Sequence, residues 1–350
     1  YEHHERAIAV SAMVVGFIVD NLTLRRIDFL VENLVLISYL VIAGVSIFYI
    51  NLHQSRGYES GVLKWLRFLS PIAIQFAFGG LFSAFFVFYW RSASFGTSAL
   101  FLVFLFLMMV GNEIFAKHFV KLTFQISVFF VALLSFFIFY VPVVVGKMSF
   151  WVFMLSAIVS IVTISIFIYF ISKANPRGVK DDKHILGRSI ISILSVIIAC
   201  YILNIIPPIP LAMKEGVVAY DVSRAGDGDY NIVVEDRGWL YSPFSKTKIY
   251  IAENRPVYVF SSVFAPTRLD TKIVHEWQVK EGGKWKTITR TTFVIVGGSD
   301  RGYRGYSLKQ NVYEGKWRVN IETERGQIIG RVPFNIISGK RPNNLTEKTY

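Results

Sequence analysis

Cysteine is almost absent: the chain has one, Cys200, in 350 residues. That excludes a disulfide framework and a cysteine-based metal site. Cys200 also lies inside a hydrophobic run, so no thiol nucleophile stands in an open loop. Charge is missing from long stretches. Residues 71–90, PIAIQFAFGGLFSAFFVFYW, carry none, and neither do residues 149–172. Neither run shows the polar stripe that a helix on a soluble core requires. Acidic residues are few, 24 against 37 Lys and Arg, for a net charge of +13. The excess forms no compact basic domain with interleaved aromatics, which argues against a nucleic-acid partner. It is spread over short segments between hydrophobic runs, where anionic lipid attracts it. Catalytic signatures are missing too. No GxSxG, Walker or dinucleotide-binding motif stands in a fitting context, HExxH is absent, and the adjacent His3 and His4 are a weak metal cue. No cofactor and no metal are expected.

What the chain has instead is a hydrophobic series over residues 7–206, and a mean hydropathy of +0.47. A helix needs about 20 apolar residues to cross ~30 Å of hydrocarbon. In lipid every backbone polar group must be paired internally, so such runs are helices. The expected architecture is a transmembrane bundle of about seven spans: residues 7–22, 27–52, 68–90, 93–114, 119–145, 149–172 and 185–206. The first is short, with Asp20 near its end. It can act as its own insertion signal, and no cleavable signal segment is read ahead of it. Alternate connections collect Arg6, Arg56, Lys64, Arg67, Lys117, Lys121, Lys173, Arg177, Lys180, Lys183 and Arg188 on one side. The other side holds Arg25, Arg26, Arg91, Lys147 and Lys214. The positive-inside rule makes the richer side, and the N-terminus, cytoplasmic. The C-terminal part then lies beyond the membrane.

Pro207, Pro208 and Pro210 end the series and stiffen the next segment, so residues 207–229 read as a stalk after the transmembrane domain of residues 1–206. From Tyr230 the period changes to two. Ile273, His275, Trp277 and Val279 share one phase, as do Trp317, Val319 and Ile321, and Val332, Phe334 and Ile336. Gly282-Gly283, Gly297-Gly298, Glu314-Gly315 and Arg325-Gly326 punctuate the runs. Seven or eight short strands over residues 230–340 point to an immunoglobulin-like β-sandwich, with a small barrel as the alternative. Trp277, Trp317 and Phe334 are the expected core. Residues 341–350 read as a polar tail.

The runs VYVFSSV, HEWQV and GKWRVNIETERGQIIGRVPFNI, within residues 256–336, resemble the bacterial domain of unknown function 2914. The helical part, with FIVDNLTLRRID at 17–28, is similar to that of multi-pass proteins carrying this domain. The resemblance implies a bacterial envelope protein and supplies no activity or site; the expected location is the inner membrane.

Two clusters are candidate sites. Asp20, Asn21, Arg25, Arg26, Asp28 and Glu32 fall at the outer membrane boundary. They read either as a headgroup, ion or partner site or as a salt-bridged hairpin fixing the first two helices. Arg301, Tyr303, Arg304 and Tyr306 mix guanidinium and phenol groups, which suits an interface with a protein or sugar. Glu113 and Lys121 read as a structural pair or as plain snorkelling, and Gly79-Gly80 either as a place of close helix approach or as mere tolerance of small residues in lipid. Asp227-Gly228-Asp229 reads as a turn, because the ligand series of a calcium loop is absent. His275 and Glu276 point to opposite faces of one strand and cannot share a metal. The expected function is a non-enzymatic envelope protein, acting alone or as one subunit of a membrane complex. Its partners would be the lipid bilayer and another envelope or membrane protein or a glycan. A transporter or lipid-acting enzyme using the Asp20–Glu32 cluster is the alternative.

Overall fold

The computed structural model describes residues 18, 30–56, 61–92, 95–114, 121–208, 210–226, 229–235, 247–251, 255–266, 269–296 and 302–350. The chain divides into a helical unit ending at Pro210 and a β-rich unit beginning at Leu211.

Among the described residues the helical unit has six helices: α1 (Leu30–Arg56), α2 (Gly61–Ser92), α3 (Phe95–Ile114), α4 (Leu122–Val145), α5 (Phe150–Ala174) and α6 (Pro176–Ile202). Five contain a segment long and apolar enough to cross a membrane: Val31–Ser55, Leu69–Trp90, Leu122–Val145, Phe150–Ala174 and Pro176–Ile202. Among the described residues, five of the seven expected spans are therefore represented. The run at 7–22 lies outside the described residues except for Ile18, and α3 offers only the shorter apolar stretch Ser98–Gly111. The last helix also begins earlier than expected. Pro176 suits the first helical position, and Asn175 caps it by accepting from the Gly178 amide at 3.0 Å. Helix therefore runs through the charged segment Lys180–Lys183, which composition alone reads as a loop.

Phenylalanine holds this unit together. Phe85 and Phe139 join α2 to α4 at 5.8 Å between ring centroids, and Phe129 meets Phe167 of α5 at 4.8 Å. Phe153 stacks on Tyr201 of α6 at 3.6 Å. Close helix approach occurs at Gly80, where an added Cβ would lie 2.7 Å from the Tyr39 ring of α1. One polar node sits among these rings. Buried Asn51 donates to Gln125 Oε1 at 2.8 Å and accepts from Asn175 at 3.4 Å, tying α1 to α4 and to the α5–α6 junction.

The β-rich unit has eleven strands among its described residues: β1 (Ala212–Ala219), β2 (Asp221–Arg224), β3 (Tyr230–Glu235), β4 (Thr247–Ile251), β5 (Val257–Phe264), β6 (Asp270–Glu281), β7 (Lys284–Val296), β8 (Tyr303–Lys309), β9 (Gly315–Thr323), β10 (Ile328–Ser338) and β11 (Leu345–Thr349). The eight strands read from alternation are all present. The other three correct the expected layout. β1 and β2 lie in the segment read as a stalk, and β11 in the segment read as a polar tail. β1 is interrupted by a bulge between Met213 and Glu215, β2 has four residues, and β11 is polar, so none shows a clean period of two.

The strands form a five-stranded sheet in the order β4-β10-β9-β6-β7 and two three-stranded sheets, β1-β5-β8 and β11-β3-β2. All pairings are antiparallel except β4 with β10. Gly282 and Gly283, with φ of +55° and +81°, close the tight β6–β7 hairpin that both positive angles demand. β5 is covered on both faces. On one side Phe260 packs with Val222, Tyr230 and Ile232 of the third sheet. On the other, Ser261 meets His275 of the five-stranded sheet at 2.8 Å. That second layer holds Trp277, Trp317 and Phe334, each at most 1% exposed, as the expected core.

His275 bridges the two layers. Its other ring nitrogen lies 2.9 Å from Ser307 Oγ, which also accepts from the Trp277 indole at 2.9 Å. Burial pushes the imidazole down to about 3, so it stays neutral at ordinary pH. Replacing His275 with Ala should destabilise the β-rich unit by about 2–4 kcal/mol, because two buried hydroxyls lose partners and a cavity opens. Thermal unfolding of the full chain measures this; a loss below about 0.5 kcal/mol would show that the bridge carries no weight.

Candidate functional site on the outer face of the five-stranded sheet

Alternation puts His275 and Trp277 inward, and so sends Glu276 and Gln278 outward. The same holds for Arg318, Asn320 and Glu322 on β9 and for Arg331 and Pro333 on β10. Register then lines these residues up across strands. Arg290, Glu276, Asn320 and Arg331 form one cross-strand row. Thr287, Gln278, Arg318 and Pro333 form the next. A bulge between Trp277 and Gln278 in the β6–β7 pairing brings Thr287 opposite Gln278. Polar residues on the outer face of a sheet are ordinarily well exposed. Here Gln278, Asn320 and Glu322 are buried, beneath arginine side chains from the same sheet.

Glu276 sits at the centre. An ionised carboxylate only accepts hydrogen bonds, and this one takes three at 2.9 Å, from Gln278 Nε2, Thr287 Oγ1 and Asn320 Nδ2. Both amides must therefore turn their nitrogens to Glu276 and their oxygens away. Gln278 Oε1 accepts from Arg318 Nε at 2.7 Å, and Asn320 Oδ1 accepts from Arg331 Nε at 3.1 Å. Each guanidinium is thus fixed through Nε, and its terminal nitrogens are left without a hydrogen-bond partner among the described residues. Arg318 also lies over the Trp285 ring, 4.1 Å from its centroid. Arg290 pairs with Glu322 at the other end of the face.

The electrostatics follow from burial. Desolvation, and then the neighbouring charge of Glu276, push the Glu322 carboxyl up to about 7, against the pull of Arg290 and Arg331. Arg318 and Arg331 are both pushed down, first by desolvation; for Arg318 the second cause is the positive charge of Arg331. No carboxylate makes an ion pair with either arginine among the described residues. Glu276 is fully engaged, and Glu322, paired with Arg290, is pushed up to about 7. The arrangement also offers two oriented cations. Among the described residues no group of three or more His, Cys, Asp or Glu is placed to hold a metal.

The residues singled out from sequence are elsewhere. Asp20, Asn21, Arg25, Arg26 and Asp28 lie outside the described residues. Glu32 is in the first turn of α1, nearly buried, and its Oε2 has no hydrogen-bond partner. Arg301, Asp227, Gly228 and the Glu113 side chain are likewise outside the described residues, and Lys121 is exposed. Tyr303 is half-buried on β8. Arg304 pairs with Asp229 at 2.7 Å, and Tyr306 packs on Tyr230 and Tyr258 at 5.9 and 6.1 Å between centroids. Arg304 and Tyr306 therefore tie β8 to its neighbours in the fold. The outer-face network was missed because its residues read only as the solvated phase of each strand. The one signal in the sequence was amides and charges sharing that phase in HEWQV, WRVNIE and GRVPF.

Residues 270–336 match the model of a family described as "Protein of unknown function (DUF2914)", and the chain carries that domain. The match spans β6 to most of β10, and so includes every residue of the network described above. Comparison with curated proteins gives no match. Among solved structures, the alkylpurine DNA glycosylase AlkC of Pseudomonas fluorescens, bound to DNA with an abasic site analog, is similar at 10% identity and a TM-score of 0.22. The alignment covers 85% of this chain and 98% of that one, and a score so low carries no argument.

Glu322 makes stability depend on pH with a defined sign. The folded protein holds this proton up to about pH 7, while the unfolded chain releases it near 4.5. The contribution is full below 4.5 and is lost as pH rises to about 7. Glu322→Gln should flatten this part of the unfolding-temperature profile and gain stability over the wild type at the alkaline end. Identical profiles would mean that Glu322 titrates like an exposed carboxylate.

Proposed function

We infer that the protein is a multi-pass membrane protein whose β-rich unit is a binding head rather than a catalyst. The observation that carries this reading is the pair Arg318 and Arg331. A three-handed carboxylate and two amides hold them in place, yet their terminal nitrogens are unspent. Fixing charged groups in this way suits recognition. Membrane residence is supported by the outward faces of the helices. Trp151, Val31 and Ile191 are 77%, 69% and 65% exposed, large apolar side chains that lipid covers and water does not.

In this reading the helices sit in the bacterial inner membrane with the N-terminus cytoplasmic. Seven spans, counting residues 7–22 and the α3 region, bring the head to the periplasmic or extracellular side. Charge asymmetry between the connections supports that direction. The face-to-face packing of the five-stranded sheet on β1-β5-β8 supports a sandwich of immunoglobulin-like type, enlarged by a third sheet. The partner is another envelope protein, as in a membrane complex, or a glycan. A second reading, a transporter or lipid-acting enzyme working at Asp20–Glu32, draws on the unpaired oxygen of Glu32. It ranks below the first because a carboxylate in the first turn of a helix is already stabilised by the amides there.

Thiol labelling tests the direction. In a Cys200→Ser background, Gln310→Cys places the only thiol at the end of β8. A membrane-impermeant maleimide should label it in intact spheroplasts. Labelling only after lysis would put the head in the cytoplasm and overturn the orientation.

A further inference from the structure

A depression of about 200 Å³ opens at one end of the same outer face. Its apolar walls are the Trp285 and Pro333 rings, and four cations surround it: Lys280, Lys316, Arg318 and Arg331. No carboxylate lines it, and none of the four cations makes an ion pair among the described residues. Lys280 is the cross-strand partner of Trp285, and Lys316 that of Asn335, so the sheet register itself gathers these groups.

Such a site is unfavourable when empty. Arg318 and Arg331 stand at diagonal positions of neighbouring strands, where long side chains reach each other. Partial burial weakens the charged form of both, and the charge of Arg331 weakens that of Arg318 further, against the pull of Glu276 on Arg318 and of Glu322 on Arg331. An anion bridging their terminal nitrogens offsets these costs and gains the forked geometry that guanidinium offers to carboxylate and phosphate. The ligand must therefore bring an anionic group and a face apolar enough to lie between Trp285 and Pro333. The volume is below that of a drug-sized pocket and fits a single ring. A bound peptide strand is disfavoured because the depression lies on the face of the sheet, where no backbone ladder can form.

We propose that this depression binds one anionic sugar unit, a pyranose bearing a carboxylate or a phosphate. Arg318 and Arg331 clamp the acid, and Trp285 and Pro333 pack the ring. The proposal rests on the reading of the β-rich unit as a binding head and names the ligand class of that head. The rim lysines add longer-range attraction that salt screens.

Calorimetric titration of the purified full chain in detergent tests it, with sodium glucuronate, glucose 6-phosphate, glucose, inorganic phosphate and a glutamate-rich peptide as probes. Glucuronate or glucose 6-phosphate should bind at least tenfold tighter than glucose and tighter than inorganic phosphate. The tighter of the two assigns the acid. Arg331→Gln should weaken that ligand at least tenfold. Arg331→Lys, which keeps the charge but loses the fork, should weaken it less, and serves if the first variant fails to fold. Trp285→Ala should weaken the sugar more than it weakens inorganic phosphate, which loses only the support that the ring gives Arg318. Absence of binding by folded wild-type protein, equal binding of glucose, phosphate as tight as the sugar acids, or preference for the peptide would each overturn the proposal. None of these results depends on which side of the membrane the head occupies, so labelling at Gln310→Cys remains an independent test of the orientation.

Discussion

The outer face of the five-stranded sheet depends on the fact that a carboxylate cannot donate. Glu276 receives three hydrogen bonds, and by doing so it sets the orientation of two amides that would otherwise be free to flip. The amide oxygens of Gln278 and Asn320 then face Arg318 and Arg331, which take up Nε bonds and leave their terminal nitrogens unspent. A glutamine at this position could both accept and donate, and the amide orientations would no longer be forced. The half-buried charges around it are tolerable because the face is connected throughout: each buried amide meets a charged group whose position is fixed by strand pairing.

The inner face fixes the strands on which this depends. His275 and Trp277 alternate with Glu276 and Gln278, so one side of β6 is locked by Ser261 and Ser307 while the other builds the network. A slip of one residue would bury Glu276 among aromatic rings and expose Trp277. Register is therefore specified from inside, and the polar rows inherit it. The bulge opposite Trp277 and Gln278 fits the same logic, since it re-aims Thr287 toward both Glu276 and Gln278.

Most of the β-rich fold was legible because a period of two is a strong signal wherever one face is buried. The strands around HEWQV, KWRVNIE and GRVPFNI, and the core of Trp277, Trp317 and Phe334, followed from it. β1 was not legible because a bulge breaks its alternation and prolines precede it, and β11 because its residues are polar. The candidate site was half legible. Residue types on each outward phase could be read, but hydrogen bonds across strands depend on register, which alternation alone does not give. In the helical unit, length and lack of charge marked the apolar runs. They did not mark where α6 begins, because Asn175 and Pro176 start a helix that runs through a charged segment.

The central claim is that two guanidiniums stand close together, fixed through Nε and without an ion-pair partner among the described residues. A double-mutant cycle with Arg318→Gln, Arg331→Gln and the double variant, read by thermal unfolding of the full chain at low ionic strength, tests it most directly. Repulsion predicts that the double variant is less stable than the sum of the single effects implies, by about 0.5–3 kcal/mol, because each single variant already relieves it. A coupling of zero, or one in which the two arginines support each other, would contradict the account.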